Sequence, residues 1–190
     1  MKFSDKERQL ELIREKYFSD RKVICTGNPD SPYTIAHGIR KLYPDTTFIH
    51  RSSGWDLEDV NDRLIEEFKR HNTFINASYI APGVQSRLLE ICNLNSKFYD
   101  VINIGSTHEY DGLGTEDYTR SKIDLREKGL SLNTFRFKTC HLILGLIRSH
   151  DGEFDGEPLE VDQIAEMIKW ILDNKHGIPL TTLDSKKRPW

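Results

Sequence analysis

The sequence predicts an α/β fold: a doubly wound parallel sheet covered by helices on both faces, three layers in all. Two observations predict it. Short apolar, β-branched runs such as VICT, TFI and VINI recur along the chain, and an amphipathic segment of helical period follows nearly every one. Strands that are apolar throughout, rather than on alternate residues, belong to sheets buried on both faces, and such sheets bind ligands beyond the carboxyl ends of their strands.

The elements can be taken in order. Ser4 and Glu7 have capping-box spacing, and Leu10, Ile13 and Tyr17 share a face, which predicts a helix over 5–18 within an N-terminal segment 1–20. One domain is expected over 21–190. It opens with a strand at 22–26 ended by Gly27, and Ser31-Pro32 reads as N-cap and first helical residue of a helix running over 33–42. A strand at 46–50 and a helix at 56–70 follow, the helix burying Val60, Leu64, Ile65 and Phe68. A strand at 73–77, a helix at 84–94 and a strand at 101–104 lead into a Gly/Ser turn. Helix resumes over 118–127 and stops before Gly129, a strand is predicted at 130–137, and a last helix at 161–174 is closed by His176-Gly177. RSHDGEFDGEP, at 148–158, reads as a loop with the composition of a lid or a plain surface turn, and LDSKKRPW as an exposed tail.

Composition narrows the function. The 190 residues are 37% hydrophobic and 30% charged, with a net charge of −3, so the basic excess that phosphate-backbone binding requires is missing and nucleic acid is not an expected partner. No apolar run approaches the roughly 18 residues of a membrane span. Cys25, Cys92 and Cys140 are odd in number and widely spaced, which predicts buried free thiols in a reducing compartment. With no apolar signal core near the N-terminus, a cytoplasmic location is expected. The seven histidines show no metal-ligand spacing.

Three places carry candidate chemistry. Thr26-Gly27 ends the first strand and leads into a helix, where backbone N–H groups can hold a cofactor's phosphates; it also reads as a plain tight turn. Arg51 follows the second strand, where no acidic residue awaits a ribose 2′-hydroxyl and an arginine can instead accept a 2′-phosphate. The third place is stronger. INIGS puts Ser106 at a strand's carboxyl end, and Tyr118 and Lys122, four residues apart, share one face of the helix that follows. A lysine ammonium near a phenol favours the phenolate, and a neighbouring serine hydroxyl can hold a carbonyl oxygen, so the set suits proton donation in hydride chemistry. His108 and Glu109, just past Ser106, are within reach of a substrate or lie in an ordinary loop. Trp170 on the last helix reads as core or interface packing.

These segments together resemble the short-chain dehydrogenase/reductase superfamily, a Rossmann-like fold, over about residues 21–183. KVICTG is similar to the family's first strand and turn, WDLEDV to its acidic adenine-side segment, FINAS to its Asn-Ala-Gly strand end, and GLSLNTFRF to the strand after its catalytic helix. INIGS with YTRSK resembles its catalytic Ser, Tyr and Lys. The resemblance implies NADP as cofactor, or NAD, and a small-molecule substrate. Tyr118 would be the general acid/base, Lys122 would assist it and bind the nicotinamide ribose, and Ser106 would orient the substrate. Thr26, Gly27, Asn28 and Ser31 would form the phosphate turn, Asp56 and Leu57 would flank adenine, Asn76 and Ala77 would line the cleft, and Arg51 would favour NADP. A homo-oligomer is implied as well.

Two branches of the family stay open. VQSRLLEIC and STHEYDG are similar to segments of nucleotide-sugar epimerases and dehydratases, whereas INIGS and GLSLN are shared with reductases of small carbonyls. A non-catalytic binding module on the same fold is the third reading. The turn reads TGNPDSPY, with Ser31 and Tyr33 where the family has glycines, so Tyr33 must point away or reshape the turn, and Asp30 adds a charge that a cation must offset. The family's catalytic asparagine, early in the helix before INIGS, has no clear match.

Overall fold

VICT and TFIN contain no charged residue and bury every side chain, which is possible only inside a sheet with both faces covered. In the computed structural model they are β1 (Val23–Thr26) and β3 (Thr73–Asn76), paired in parallel at the centre of a six-stranded sheet. The structure describes residues 18–59, 61–97, 99–148, 158–173 and 179–183, with helical backbone at 8, 9, 12, 13 and 16 before them. The proposed capping box, Val60, most of the 148–158 loop, His176-Gly177 and the tail after 183 lie outside the described residues.

Every strand pairing is parallel, in the order β2-β1-β3-β4-β5-β6, with β2 at Thr47–Ile49, β4 at Tyr99–Ser106, β5 at Phe137–Leu144 and β6 at Leu180–Leu183. The doubly wound sheet predicted from the sequence is present. The winding reverses between β1 and β3, the point at which doubly wound sheets bind ligands beyond the strands' carboxyl ends.

Helices cover both faces. On one, α1 (Ile35–Leu42) and α6 (Val161–Asp173) bury Ile35, Ile39, Ile164 and Ile168 against Cys25, Ile102 and Leu142. On the other, α2 (Asp62–Arg70), α3 (Val84–Asn95) and α5 (Glu116–Leu132) bury Phe68, Leu88 and Leu125 around Ile24, Phe74 and Val101. A one-turn helix, α4 (His108–Asp111), joins β4 to α5. All three cysteines are buried and free, as predicted. Among the described residues no helix is long and apolar enough to cross a membrane.

Local rules set most helix starts and correct some predictions. α1 begins at Ile35, not Tyr33, because the Thr34 hydroxyl accepts from His37 N and takes the N-cap role assigned to Ser31. α2 begins at Asp62, not Asp56, capped by Asn61, whose side chain accepts from Leu64 N at 3.1 Å. Thr115 caps α5, and Glu116 and Asp117 occupy its electropositive first turn.

The larger correction concerns Gly129. The helix does not stop there but continues to Leu132, and the predicted strand at 130–137 is instead helix and turn. Glycine lets the helix pass close to the sheet at that point, since a Cβ would lie 3.0 Å from Asn103 Nδ2, while the Thr139 hydroxyl donates to the Gly129 carbonyl. The strand after α5 is FKTCHLIL, one segment later. β6, an edge strand with alternating exposure, was not predicted at all, and Trp170 is half-exposed on α6.

Valine at position 129 improves helix propensity slightly over glycine but forces branched methyls into the α5–sheet contact. Gly129→Val is expected to lower stability by about 1–3 kcal/mol, measured by urea unfolding.

Candidate active site

The first turn is built by a threonine and a glycine. Thr26 is fully buried and its hydroxyl accepts from Ala77 N at 2.8 Å and Ser78 N at 2.9 Å, tying the end of β1 to the exit of β3. Gly27 has φ +129°, and a Cβ there would meet Ser78 Oγ at 2.9 Å and Ala36 Cβ at 3.1 Å. Position 27 must therefore be glycine for two independent reasons. Beyond it the backbone folds on itself: Asn28 Oδ1 accepts from Asp30 N, and the Thr34 hydroxyl donates to the carbonyls of Asn28 and Ser31. Tyr33 is exposed, and the cation facing Asp30 is Arg40, at 2.7 Å, rather than Arg51.

Arg51 lies in a one-turn 3-10 helix after β2, well exposed, with its guanidinium paired to Glu58. Asp56 accepts from Glu58 N and Asp59 N, and Leu57 is buried in the core rather than presented at the surface. Arg87 of α3 donates to the carbonyls of Leu57 and Glu58, which binds this segment to the neighbouring helix.

Lys122 reaches the carboxyl end of β4, the strand that ends in Ser106, and has the Tyr118 ring beside it. Lys122 is buried to 2% exposure, and its ammonium donates to Gln85 Oε1 and to the Ile104 carbonyl, both at 2.7 Å. It lies 5.5 Å from the centroid of the Tyr118 ring and 5.9 Å from that of Tyr79. Desolvation brings the Lys122 pKa down to about 8, opposed by the Glu109 charge. Tyr118 is half-buried, edge-on to Tyr79 at 4.8 Å and to His108 at 6.1 Å. The Ser106 hydroxyl accepts from His108 N at 3.3 Å, and His108 Nδ1 pairs with Asp111 at 3.0 Å.

Asn76 is directed elsewhere. It is fully buried, and its amide donates to the Gln85 carbonyl and to Asn103 Oδ1, while Gln85 Nε2 returns a bond to the Asn76 carbonyl. Ala77, the next residue, is partly exposed. Gln85 was missed by sequence reasoning although it opens VQSRLLEIC, early in the helix before INIGS. Nothing in a glutamine near a helix start announces that it receives a lysine from another helix. Glu109 is expected either within reach of a substrate or in an ordinary loop; instead its carboxylate is completely buried, accepting from Ser106 N and pairing with His141 and Arg126. A histidine inside the apolar run KTCHLIL was the one signal of that network.

A doubly wound parallel sheet with a glycine turn at its switch point defines the Rossmann-like class of α/β proteins. Within that class, solved structures similar to this chain include several described as short-chain dehydrogenases or oxidoreductases. A short-chain dehydrogenase/reductase from Vibrio parahaemolyticus superposes with a TM-score of 0.63 at 14% identity, covering 87% of this chain and 100% of that one. A 3-alpha-hydroxysteroid dehydrogenase from Pseudomonas sp. B-0831, complexed with NADH, gives a TM-score of 0.60 at 13% identity, covering 86% and 95%. A metagenomic short-chain oxidoreductase in complex with NADP gives 0.60 at 14%, covering 88% and 98%. This chain shares its fold with these short-chain dehydrogenases. No protein-family model and no curated protein matches the sequence.

Valine is nearly isosteric with threonine but offers no oxygen. Thr26→Val is expected to leave the Ala77 and Ser78 amides without their acceptor and to cost about 1–3 kcal/mol, read from the denaturation midpoint.

Proposed function

We propose that this chain is an NAD(P)-dependent oxidoreductase acting on a small carbonyl or alcohol. The observation that carries the reading is the buried Lys122 cation beside the Tyr118 ring, one turn of helix away, at the end of the strand that bears Ser106. Tyr118 gives or takes the proton at the substrate oxygen, Lys122 supports its phenolate electrostatically, and Ser106 holds that oxygen in place.

The first turn fits a dinucleotide. Gly27 keeps the switch point between β1 and β3 free of a side chain, Asp30 is neutralised by Arg40, and Tyr33 faces out. Gly27, Asn28 and Ser31 would hold its pyrophosphate, with Thr26 bracing the turn from beneath and with Ala77 and Asp56 along the adenosine side. When bound, the nicotinamide supplies the hydride acceptor or donor. Arg51 would read a 2′-phosphate, giving a preference for NADP, but that phosphate must compete with Glu58 for the guanidinium.

Titration with NADPH and NADH, followed by nicotinamide fluorescence, is the first test. Micromolar binding that prefers NADPH is expected, and Glu58→Gln is expected to strengthen that preference. Folded protein that binds neither would end the reading, whereas a dinucleotide retained through purification would point to the epimerase-like use. On an identified substrate, Tyr118→Phe is expected to lower kcat by about 10²–10⁴-fold. The Lys122 cation is present below its pKa of about 8 and lost above it, so kcat/KM is expected to decline on the alkaline side of that pH.

A further inference from the structure

Lys122 sits in an unusual place for a charge, because the two atoms that accept from its ammonium, Gln85 Oε1 and the Ile104 carbonyl, are both neutral. One residue further along β4 than Gly105, the backbone N–H of Ser106 donates to Glu109 Oε1 at 2.9 Å. Thr107 N bonds to Leu144 of β5, so by alternation Ile104 and Ser106 turn their backbone groups the other way, toward β3. β3 ends at Asn76, opposite Asn103, so the Ile104 carbonyl and the Ser106 N–H find no partner on it. Lys122 and Glu109 occupy neighbouring vacancies in one hydrogen-bond ladder.

Glu109 is held from three elements. His141 of β5 donates through Nε2 at 2.9 Å, Arg126 of α5 through its guanidinium at 3.2 Å, and Ser106 of β4 through its amide. The carboxylate has 0% exposure, His141 1% and Arg126 20%. Space has been cleared for this arrangement: a Cβ on Gly105 would lie 2.3 Å from both Glu109 Oε1 and His141 Nε2. A buried carboxylate costs a great deal unless it is paired and bonded, and its burial directly under the end of β4 puts its field on the groups bound there.

We propose that Glu109 is a positioning residue of the site: it anchors the Ser106 backbone and supplies the anion that the buried Lys122 ammonium otherwise lacks. The inference rests on the reading of Ser106, Tyr118 and Lys122 as the reacting site. The direction of the Glu109 influence on Lys122 agrees with it, opposing the effect of burial. The other charged or titratable groups facing Lys122 or Glu109 are Tyr118 and Arg126 on α5, Tyr79 after β3, and His141 on β5.

The test is a titration of the intact chain carrying isotope-labelled lysine, with the Lys122 side-chain resonance followed by NMR in the absence of cofactor and substrate. Glu109→Gln keeps the shape and an acceptor oxygen but removes the charge, so the Lys122 midpoint is expected to fall by about one pH unit. A folded variant with an unmoved midpoint would overturn the proposal. Should that variant fail to fold, Arg126→Met removes the cation that offsets Glu109 and is expected to move the midpoint upward; no movement there overturns it equally. Since no turnover is read, a wrong enzymatic reading leaves this result untouched, and a failed titration leaves the Tyr118→Phe test standing. If both hold, the alkaline limb of kcat/KM in Glu109→Gln moves down in pH together with the Lys122 midpoint.

Discussion

An ammonium group taken almost wholly out of water must be hydrogen-bonded and electrostatically compensated, and the burial of Lys122 imposes that requirement on everything around it. Its acceptors come from two separate elements, the Gln85 side chain on α3 and the Ile104 carbonyl on β4. The carbonyl is available because β4 outlasts β3 by three residues, Ile104 to Ser106. Gln85 is in turn fixed by its exchange of hydrogen bonds with Asn76, and Asn76 by its bond to Asn103. The position of one lysine therefore depends on where a strand stops and on a polar chain laid across three elements.

Glycine at two points makes this polar layer possible. α5 approaches the sheet closely at Gly129, above Asn103 and Thr139, and Gly105 leaves room for the Glu109–His141 bond. Asn103, Thr139 and His141 lie on the same face of β4 and β5 as Val101 and Phe137, so the face that is apolar in its lower half turns polar toward its carboxyl edge. The change from apolar to polar along one face separates the part that stabilises the fold from the part suited to chemistry. In a low-dielectric interior such bonds are stronger than in water, and each member left unpaired would be costly.

The catalytic candidates were legible because their spacing is local. Tyr118 and Lys122 share a helix face by being four residues apart, and Ser106 ends an apolar strand, so the periodicities of helix and strand were enough to bring them to one edge. Gln85 and His141 were not legible as partners, since each reaches the cluster from an element separated by a long stretch of chain. Leu57 illustrates the same limit from the other side: assigned to the adenine pocket by its segment, it is instead core, because only packing decides which way a loop residue turns.

The order and type of the elements were determined by the sequence itself, since apolar β-branched runs alternating with amphipathic segments can satisfy their backbone and bury their faces in few ways other than a parallel, doubly covered sheet. Local stop signals were less decisive. Gly129 carries the residue type that ends helices, yet it continues one, and its missing Cβ lets the helix pass close to Asn103 across the helix–sheet contact. Threonine at position 34 and asparagine at 61 took the caps because their side chains reach the first free amides once the strands before them have been placed. The chain alone decided the fold and the spacing of its reactive groups. Tertiary structure alone decided which buried charges face one another, since that depends on strand length and helix–sheet distance, which no local pattern encodes.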